Sequence, residues 1–449
     1  MSKIHLIAIG GSVMHNVALA LVSLGHEVSG SDDQIFEPAK SRLQNAGILP
    51  EKEGWFFDKI TSDIDIVILG MHAKSDNPEL LKAIELNIKL YSFPEFVAEQ
   101  YSQKTKIVVA GSHGKTTTTA MLMHILEKSG LEFDYLVGAL LKGFKTMVSF
   151  SNAKIAVIEG DEYFSSCLDM RPKFIHYKPQ IAVITGIAWD HYNVFPKYEL
   201  YVAAFASLIQ SMEEGSSLIY FGEDKDLQTL VMREAGHLHC IPYFALDTSL
   251  EEDELFILDQ NNKYPMQIFG KHNMENLHAV ILALEKIGIQ RKQALEAFGS
   301  FEGAHKRLQI IKKNEHQIWF LDFAHAPSKV KATVNALRER YVSKKILIIM
   351  ELHTYSSLNK EFIPQYYNST QQADSVILFI DAIALEIKRM SPLLKNDILK
   401  SFGRTDINYC TTKEDLKETI DAMKAHFEVI AFLGSGHFGG LDLFLISNE

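Results

Sequence analysis

Gly111-Ser112-His113-Gly114-Lys115-Thr116, followed by Thr117, has the make-up of a loop that cradles phosphate. Small residues let backbone N–H groups crowd around an anion, a lysine neutralises β- and γ-phosphate charge, and a threonine hydroxyl reaches Mg2+. The common spacing puts four residues between the glycines; Val109 stands where the first would fall, so this is the shorter G-x-x-G-K-T form. Two acidic clusters lie downstream, Glu159-Gly160-Asp161-Glu162 and Asp190-His191. Carboxylates suit Mg2+, a hard cation, and imidazole is a competent ligand, so these clusters could supply the metal side beside the Thr116 or Thr117 hydroxyl. Taken singly, each cluster reads equally as a strand-end turn or a hydrogen-bonded histidine. Together with the loop they point to ATP, Mg2+ and phosphoryl transfer.

A second glycine turn, Gly10-Gly11, follows the first apolar stretch. It does not complete a dinucleotide fingerprint, because Ser12 and His15 stand where the later glycines belong, and an NAD-dependent dehydrogenase is not supported. Asp32 nevertheless falls where a ribose-binding acid often sits. The turn is either a nucleotide-diphosphate site at a helix N-terminus or a plain strand-to-helix connection.

These residues need strands and helices to hold them. Short apolar runs at His5–Ile9, His26–Ser29 and Ile64–Leu69 alternate with helical periodicity, which predicts βαβ units and a parallel sheet. The alternation restarts at Lys106–Ala110, before the phosphate loop and a helix that should stop at Gly130. Strands are expected at Ile155–Ile158, Ile181–Ile184 and Ser217–Phe221. A third restart at Ile318–Phe323 leads to Ile346–Met350, Val376–Ile380 and Val429–Leu433. The expectation is an α/β chain of three domains, 1–101, 102–302 and 303–449. The first and last would be Rossmann-like, and the central one a P-loop ATPase with a mostly parallel sheet.

The 449 residues carry 45 Lys plus Arg against 56 Asp plus Glu, a net charge of −11, with 47% hydrophobic residues. That balance argues against extensive disorder and against nonspecific nucleic-acid or anionic-membrane binding. Polyphosphate ligands must then be held by local groups. No apolar run approaches the ~18 residues of a membrane span. Cys167, Cys240 and Cys410 are far apart in sequence, giving neither a zinc motif nor a disulfide framework, and suggest a reducing, cytoplasmic setting.

The ordered set of motifs resembles the Mur ligase family of cell-wall synthesis over essentially the whole chain. Gly111 to Thr116 matches the family's G-x-x-G-K-T, Glu159–Glu162 its E-A-D-E, and Asp190-His191 its D-H. Gly270-Lys271-His272-Asn273-Met274-Glu275-Asn276 matches G-x-H-N-x-x-N, which implies adenine binding by His272, Asn273 and Asn276. Arg307 matches the arginine on the transferred phosphate, and Asp322-Phe323-Ala324-His325-Ala326-Pro327 matches D-Y/F-A-H-x-P, implying that Asp322 binds ribose. The resemblance implies a UDP-sugar at the N-terminal turn, by Gly10, Gly11, Ser12, Met14, His15, Ser31, Asp32 and His72. It implies ATP in the middle domain and an incoming amine at the C-terminal domain, near His325, His353 and Tyr355. The implied reaction is attack of a carboxylate on the γ-phosphate to give an acyl phosphate, then amide formation, with Lys115, His191 and Arg307 as catalytic candidates and Thr116, Glu159 and His191 as the metal-side candidates.

Tyr163 to Tyr177 (YFSSCLDMRPKFIHY) is similar to the stretch found in the murein-peptide-adding branch; Asp169, Arg171, Lys173, Phe174, His176 and Tyr177 match directly. UDP-N-acetylmuramate and L-Ala-γ-D-Glu-meso-diaminopimelate are then the expected small-molecule substrates, in peptidoglycan recycling. L-Alanine as the amine, in peptidoglycan synthesis, is the alternative, and a non-catalytic nucleotide-binding relative a further one. Three segments depart from the family. Thr185-Gly186-Ile187-Ala188 replaces T-N-x-E, Leu321-Asp322 replaces a doubled aspartate, and His353-Thr354-Tyr355-Ser356 replaces R-S-N-T.

Overall fold

The computed structural model describes residues 1–189, 194–251, 254–303 and 308–448. Its first sheet is all parallel, with strands β1 (Lys3–Ile7), β2 (Glu27–Ser31), β3 (Ile66–Leu69) and β4 (Lys89–Ser92) in the order β2-β1-β3-β4. The first strand stops two residues earlier than its apolar run, because Ala8 turns to φ +69 and starts the glycine turn. The helix Met14–Ser23 follows and ends where Gly25 takes φ +81, a conformation that favours a residue without a Cβ. One face of this sheet is packed by Ile7, Val67, Leu69, Leu80 and Ala83.

The second sheet carries the phosphate loop. Strands β5 (Thr105–Ala110), β6 (Asp134–Leu136), β7 (Ile155–Glu159), β10 (Ile181–Ile184), β11 (Ser217–Phe221) and β12 (His239–Tyr243) lie parallel in the order β12-β11-β10-β5-β7-β6. The central strand β5 has β10 on one side and β7 on the other, so the segments leaving all three meet at one sheet edge. That is where an open parallel sheet binds ligands. Between β7 and β10 the chain makes a small antiparallel hairpin, β8 (Phe164–Ser166) and β9 (Asp169–Pro172), and a 3-10 turn Lys173–Tyr177.

An antiparallel meander, β13 (Thr248–Glu251), β14 (Glu254–Asp259) and β15 (Asn262–Met266), interrupts the βα alternation and was not expected. The last sheet runs β16-β17-β21-β18-β19-β20, with β16 (Gln309–Lys313), β17 (Ile318–Asp322), β18 (Ile346–Glu351), β19 (Ser375–Phe379), β20 (Ile407–Cys410) and β21 (Val429–Leu433). Only β16 is antiparallel. Alternate residues of its central strands feed two cores, Phe320, Ile348, Val376 and Ala431 on one face and Trp319, Ile349, Ile377 and Phe432 on the other. Burial on both faces explains the unbroken apolar runs.

The chain forms two compact units: one holds Met1–Ala188, Tyr198–Phe244 and Leu277–Phe298, and the other includes Ala245–Asn276 and the chain from Gly299. The first two sheets are therefore in one unit, and the meander and last sheet in the other. No helix among the described residues is long and apolar enough to cross a membrane.

Candidate active site

The phosphate loop leaves β5 at Ala110 and enters the helix Lys115–Lys128. Gly111 has φ +131, and a Cβ there would collide with the Thr185 side chain and lie 2.7 Å from the Thr185 nitrogen. Gly114, at φ +77, caps the helix, and its carbonyl accepts from Thr118 N at 2.8 Å. Both glycines are thus demanded by backbone and contact, not only by pattern. The departing segment after β10 braces the loop: Ser112 N donates to Gly186 O at 2.9 Å, and Thr185 Oγ1 donates to the carbonyls of His113 and Ala110. Ser112 Oγ is buried with no hydrogen-bond partner among the described residues. An orphaned hydroxyl beside free helix N–H groups is what a phosphate oxygen would satisfy. Thr117 is buried on the same first turn.

The three acids after β7 have separate partners. Glu159 accepts from Thr116 Oγ1 at 2.9 Å and from Gly138 N at 2.9 Å. Asp161 accepts from Lys173 Nζ at 2.6 Å. Glu162, which is fully buried, accepts from Lys115 Nζ at 2.9 and 3.2 Å. Lys115 Nζ also donates to Gly111 O at 2.5 Å. Burial works against the lysine's charge, but Glu162, Asp161 and Glu159 outweigh it and hold its pKa above the ordinary value. Thr116 Oγ1, which donates to Glu159, and the Glu159 carboxylate bring two oxygen ligands together, a set whose chemistry fits Mg2+. His191, the third metal-side candidate, and Arg307 lie outside the described residues.

At the N-terminal turn, Asp32 accepts from Gly10 N at 2.8 Å and from Asp33 N at 2.9 Å. Burial, with Asp33 beside it, pushes its carboxyl up to about 6. His15 is committed within the protein. Arg42 Nη1, always a donor, reaches His15 Nε2 at 3.1 Å, so Nδ1 carries the hydrogen and donates to Gly11 O at 2.9 Å. Burial and the guanidinium together lower its pKa, and the neutral ring follows. Arg42 also donates to Asn16 Oδ1 (2.9 Å) and Lys145 O (2.6 Å), and Asn16 Oδ1 accepts from Met147 N (3.0 Å). Met14 and Ser31 are buried, with Lys59 Nζ donating to Ser31 Oγ at 3.1 Å, whereas Ser12 and His72 are exposed. Beneath them lies a fully buried pair, His5 Nε2 and Glu79 Oε2 at 3.2 Å.

The remaining candidates belong to the second unit. Gly270 at φ +98 precedes the helix Lys271–Glu285, and a Cβ there would sit 2.8 Å from Ala336 Cβ and 2.9 Å from His272 Cε1. Burial pushes the His272 ring down to about 4, keeping it neutral. Asn273 is buried and donates through Nδ2 to Phe269 O at 2.7 Å; Asn276 is buried too. Asp322 ends β17, accepting from Ala324 N at 3.0 Å and Thr333 Oγ1 at 3.1 Å. His325 Nδ1 meets Phe323 O at 2.9 Å.

His353 and Tyr355 follow β18, whose last residue is a functional candidate the sequence reading passed over. Glu351 is 2% exposed, accepts from Phe438 N at 2.9 Å and lies 3.6 Å from His353 Nδ1. Burial, with Asp381 nearby, pushes it up to about 7 against the pull of Phe438 N–H and Lys388. Burial lowers His353. The loop after β21 is bare of side chains where it meets this acid, since a Cβ at Gly436 would collide with the carboxylate. Tyr355 is exposed, with Lys388 Nζ 5.3 Å from its ring centroid. Acid, imidazole and ammonium groups together can hold the charged ends of an amino acid or peptide. Glu351 and Glu162 each ended an apolar strand or acidic cluster; their burial was the missing signal.

Three family models cover the chain in order. These are "Mur ligase family, catalytic domain" over residues 3–105, "Mur ligase middle domain" over 109–284 and "Mur ligase, glutamate ligase domain" over 306–436. UDP-N-acetylmuramate–L-alanine ligase of Streptococcus mutans is 31% identical over 390 residues, 84% of this chain and 82% of that protein. UDP-N-acetylmuramate–L-alanyl-γ-D-glutamyl-meso-2,6-diaminoheptandioate ligase of Escherichia coli is 29% identical over 362 residues, 78% of each. Among solved structures, the alanine ligase of Thermotoga maritima matches with a TM-score of 0.70 at 22% identity, covering 98% of this chain and 96% of its own. The murein peptide ligase of Psychrobacter arcticus matches at 0.65 and 22%, covering 100% and 98%. The chain belongs to the Mur ligase family, ATP-dependent amide-bond ligases with three α/β domains that act on small-molecule substrates.

Proposed function

We propose that this ligase joins the lactoyl carboxylate of UDP-N-acetylmuramate to the free amine of L-Ala-γ-D-Glu-meso-diaminopimelate, in cytoplasmic peptidoglycan recycling. The observation that carries this choice of amine is the segment from Tyr163 to Tyr177. It is built as a distinct unit: Arg171 grips Asp169 through Nε and Nη2 at 2.8 Å each, His176 Nε2 lies 3.1 Å from Asp169 Oδ2, and Lys173 reaches back to Asp161. These are the residues that match the murein-peptide-adding branch. L-Alanine as the amine is the second reading, favoured by relatives named as alanine ligases, while His353-Thr354-Tyr355-Ser356 departs from the R-S-N-T of the murein-peptide-adding branch.

In this reading residues 1–101, 102–302 and 303–449 receive UDP-sugar, ATP and amine respectively. The substrate carboxylate attacks the γ-phosphorus, ADP leaves, the amine nitrogen attacks the acyl carbon, and phosphate leaves as the nitrogen loses its proton. The chain's part is positioning and charge neutralisation. Free N–H groups of the loop and Lys115 cradle the phosphates, Ser112 Oγ adds a donor, and the family motif gives Arg307 the role of contacting the transferred phosphate. Mg2+, bound by Thr116, Glu159 and His191, would offset phosphate charge. His272, Asn273, Asn276 and Asp322 hold the nucleoside, and His325, His353 and Tyr355 the amine.

The test is ADP release from purified protein with ATP, Mg2+, UDP-N-acetylmuramate and either amine. Tripeptide-dependent release supports the proposal. Release with L-alanine alone overturns it in favour of the second reading.

A further inference from the structure

From the contacts of Lys115 we infer that Glu162 is a positioning residue for the phosphoryl-transfer lysine, fixing where its ammonium stands. The inference rests on the reading of Lys115 as a phosphate ligand. Glu162 does not itself touch phosphate, since a carboxylate and a polyphosphate repel.

A lysine ammonium has three donors on a flexible four-carbon stem. Here one donor goes to Gly111 O at 2.5 Å and another to the Glu162 carboxylate at 2.9 Å. The longer 3.2 Å contact to Glu162 Oε1 is the one a ligand oxygen would replace. The lysine is thus held at its own loop, and little further ordering is needed to meet a phosphate. Glu162 is held in turn by Tyr201, whose hydroxyl donates to Oε1 at 3.3 Å from the helix Tyr198–Ser211. The neighbouring acids cannot substitute: Asp161 is engaged by Lys173, and Glu159 by Thr116 and Gly138 N. A buried ion pair is a poor device for stability, because desolvation offsets its attraction. Its presence beneath a phosphate loop is better explained by function, as in the lysine–glutamate pair that protein kinases must form.

The charged groups around the Lys115 ammonium are Glu159, Asp161 and Glu162 after β7, with Tyr201 behind Glu162, among the described residues. Glu162→Gln keeps the shape and removes the closest negative charge, while the lysine stays desolvated. The ammonium then loses the contact that fixes its place, and a bound phosphate must order the side chain itself.

Steady-state ADP release is measured on the full-length protein at about pH 8, using whichever amine supports turnover. Glu162→Gln is expected to lower kcat about 100-fold, with the ATP KM changed less than about 5-fold. Glu162→Asp, which restores the charge, is expected to recover at least about a tenth of wild-type kcat. The inference is overturned if folded Glu162→Gln has wild-type kcat. It is equally overturned if both variants lose kcat alike, or if neither folds, since each marks a purely structural acid. Lys115→Ala separates the two levels of argument. Full turnover in that variant removes the phosphate-ligand reading itself, whereas an inactive Lys115→Ala beside a normal Glu162→Gln removes only the role of Glu162.

Discussion

Gly111→Ala is a sharp test of the phosphate loop, because the structure states what the added methyl meets. At φ +131 an L-residue is strained by about 1–3 kcal/mol. The new Cβ would also collide with Thr185 Oγ1, stand 2.7 Å from Thr185 N and 3.0 Å from Gly186 O. Overpacking of this kind adds about 1–3 kcal/mol. The loop can escape only by moving away from the segment after β10, which breaks the bond from Ser112 N to Gly186 O. If half of a combined ~4 kcal/mol is drawn from phosphate binding, ATP affinity falls roughly 30-fold. Thr185→Ala supplies the control, since it removes the hydroxyl collision and leaves the backbone one. The double variant should therefore recover part, not all, of the loss. Equilibrium binding of a non-hydrolysable ATP analogue and thermal melting, measured on all three variants, give the answer. Wild-type affinity in folded Gly111→Ala would refute the reasoning, because it would mean the loop does not need its brace to bind phosphate.

Lys115→Ala should abolish ADP formation in a protein that still folds, though it melts lower because Glu162 loses its buried partner; near-normal turnover in the folded variant removes the P-loop assignment. Glu351 should govern a pH dependence of stability. Its folded pKa of about 7 lies above the ordinary 4.5, so the folded state binds the extra proton. Its favourable contribution is complete below pH 4.5 and is lost as pH rises through 7, a span worth roughly 3 kcal/mol. Glu351→Gln should melt higher than wild type at pH 8 and gain less at pH 5; a pH-independent difference contradicts the assignment. Arg42→Ala removes donors to His15, Asn16 and Lys145 O and should cost about 1–3 kcal/mol. Unchanged melting and unchanged UDP-sugar binding would show that this network positions nothing.

What could be read from the sequence follows from what kind of signal each part carries. Strands Ile181–Ile184, Ser217–Phe221 and Val429–Leu433 have the bounds expected from their apolar runs, because strands packed on both faces need unbroken apolarity. The meander β13–β15 and the edge strand β16 left no such trace. Their residues are largely exposed or half-buried, as in Thr248-Ser249-Leu250-Glu251, so the pattern is polar and irregular. The phosphate loop was legible because motif and flanking elements are contiguous. The pairs that organise the sites are not: Lys115 with Glu162, Arg42 with Asn16 and Lys145, and His5 with Glu79 join residues 47, 26, 103 and 74 positions apart. Only the fold brings them together.

The departure at Thr185-Gly186 illustrates how a missing motif residue can be structural in origin. Space is not the constraint at Gly186, where an added Cβ would meet Asp224 Oδ2 only at 3.4 Å. Conformation is: φ there is +119, well outside the left-handed region that asparagine tolerates. An asparagine on this chain's backbone at that position would be strained. In its place this chain aims the Gly186 carbonyl at Ser112 N and anchors Ile187 N on Asp224 Oδ2 at 2.8 Å. Asp224 also caps the helix Lys225–Glu234 through Leu227 N. One carboxylate therefore ties the bracing segment to a helix, and that segment in turn fixes the phosphate loop. In a protein of net charge −11, the loop's acidic surroundings are tolerable on the same principle. Each nearby carboxylate has a donor of its own, Thr116 for Glu159, Lys173 for Asp161 and Lys115 for Glu162, so the acids around the loop are compensated within the protein.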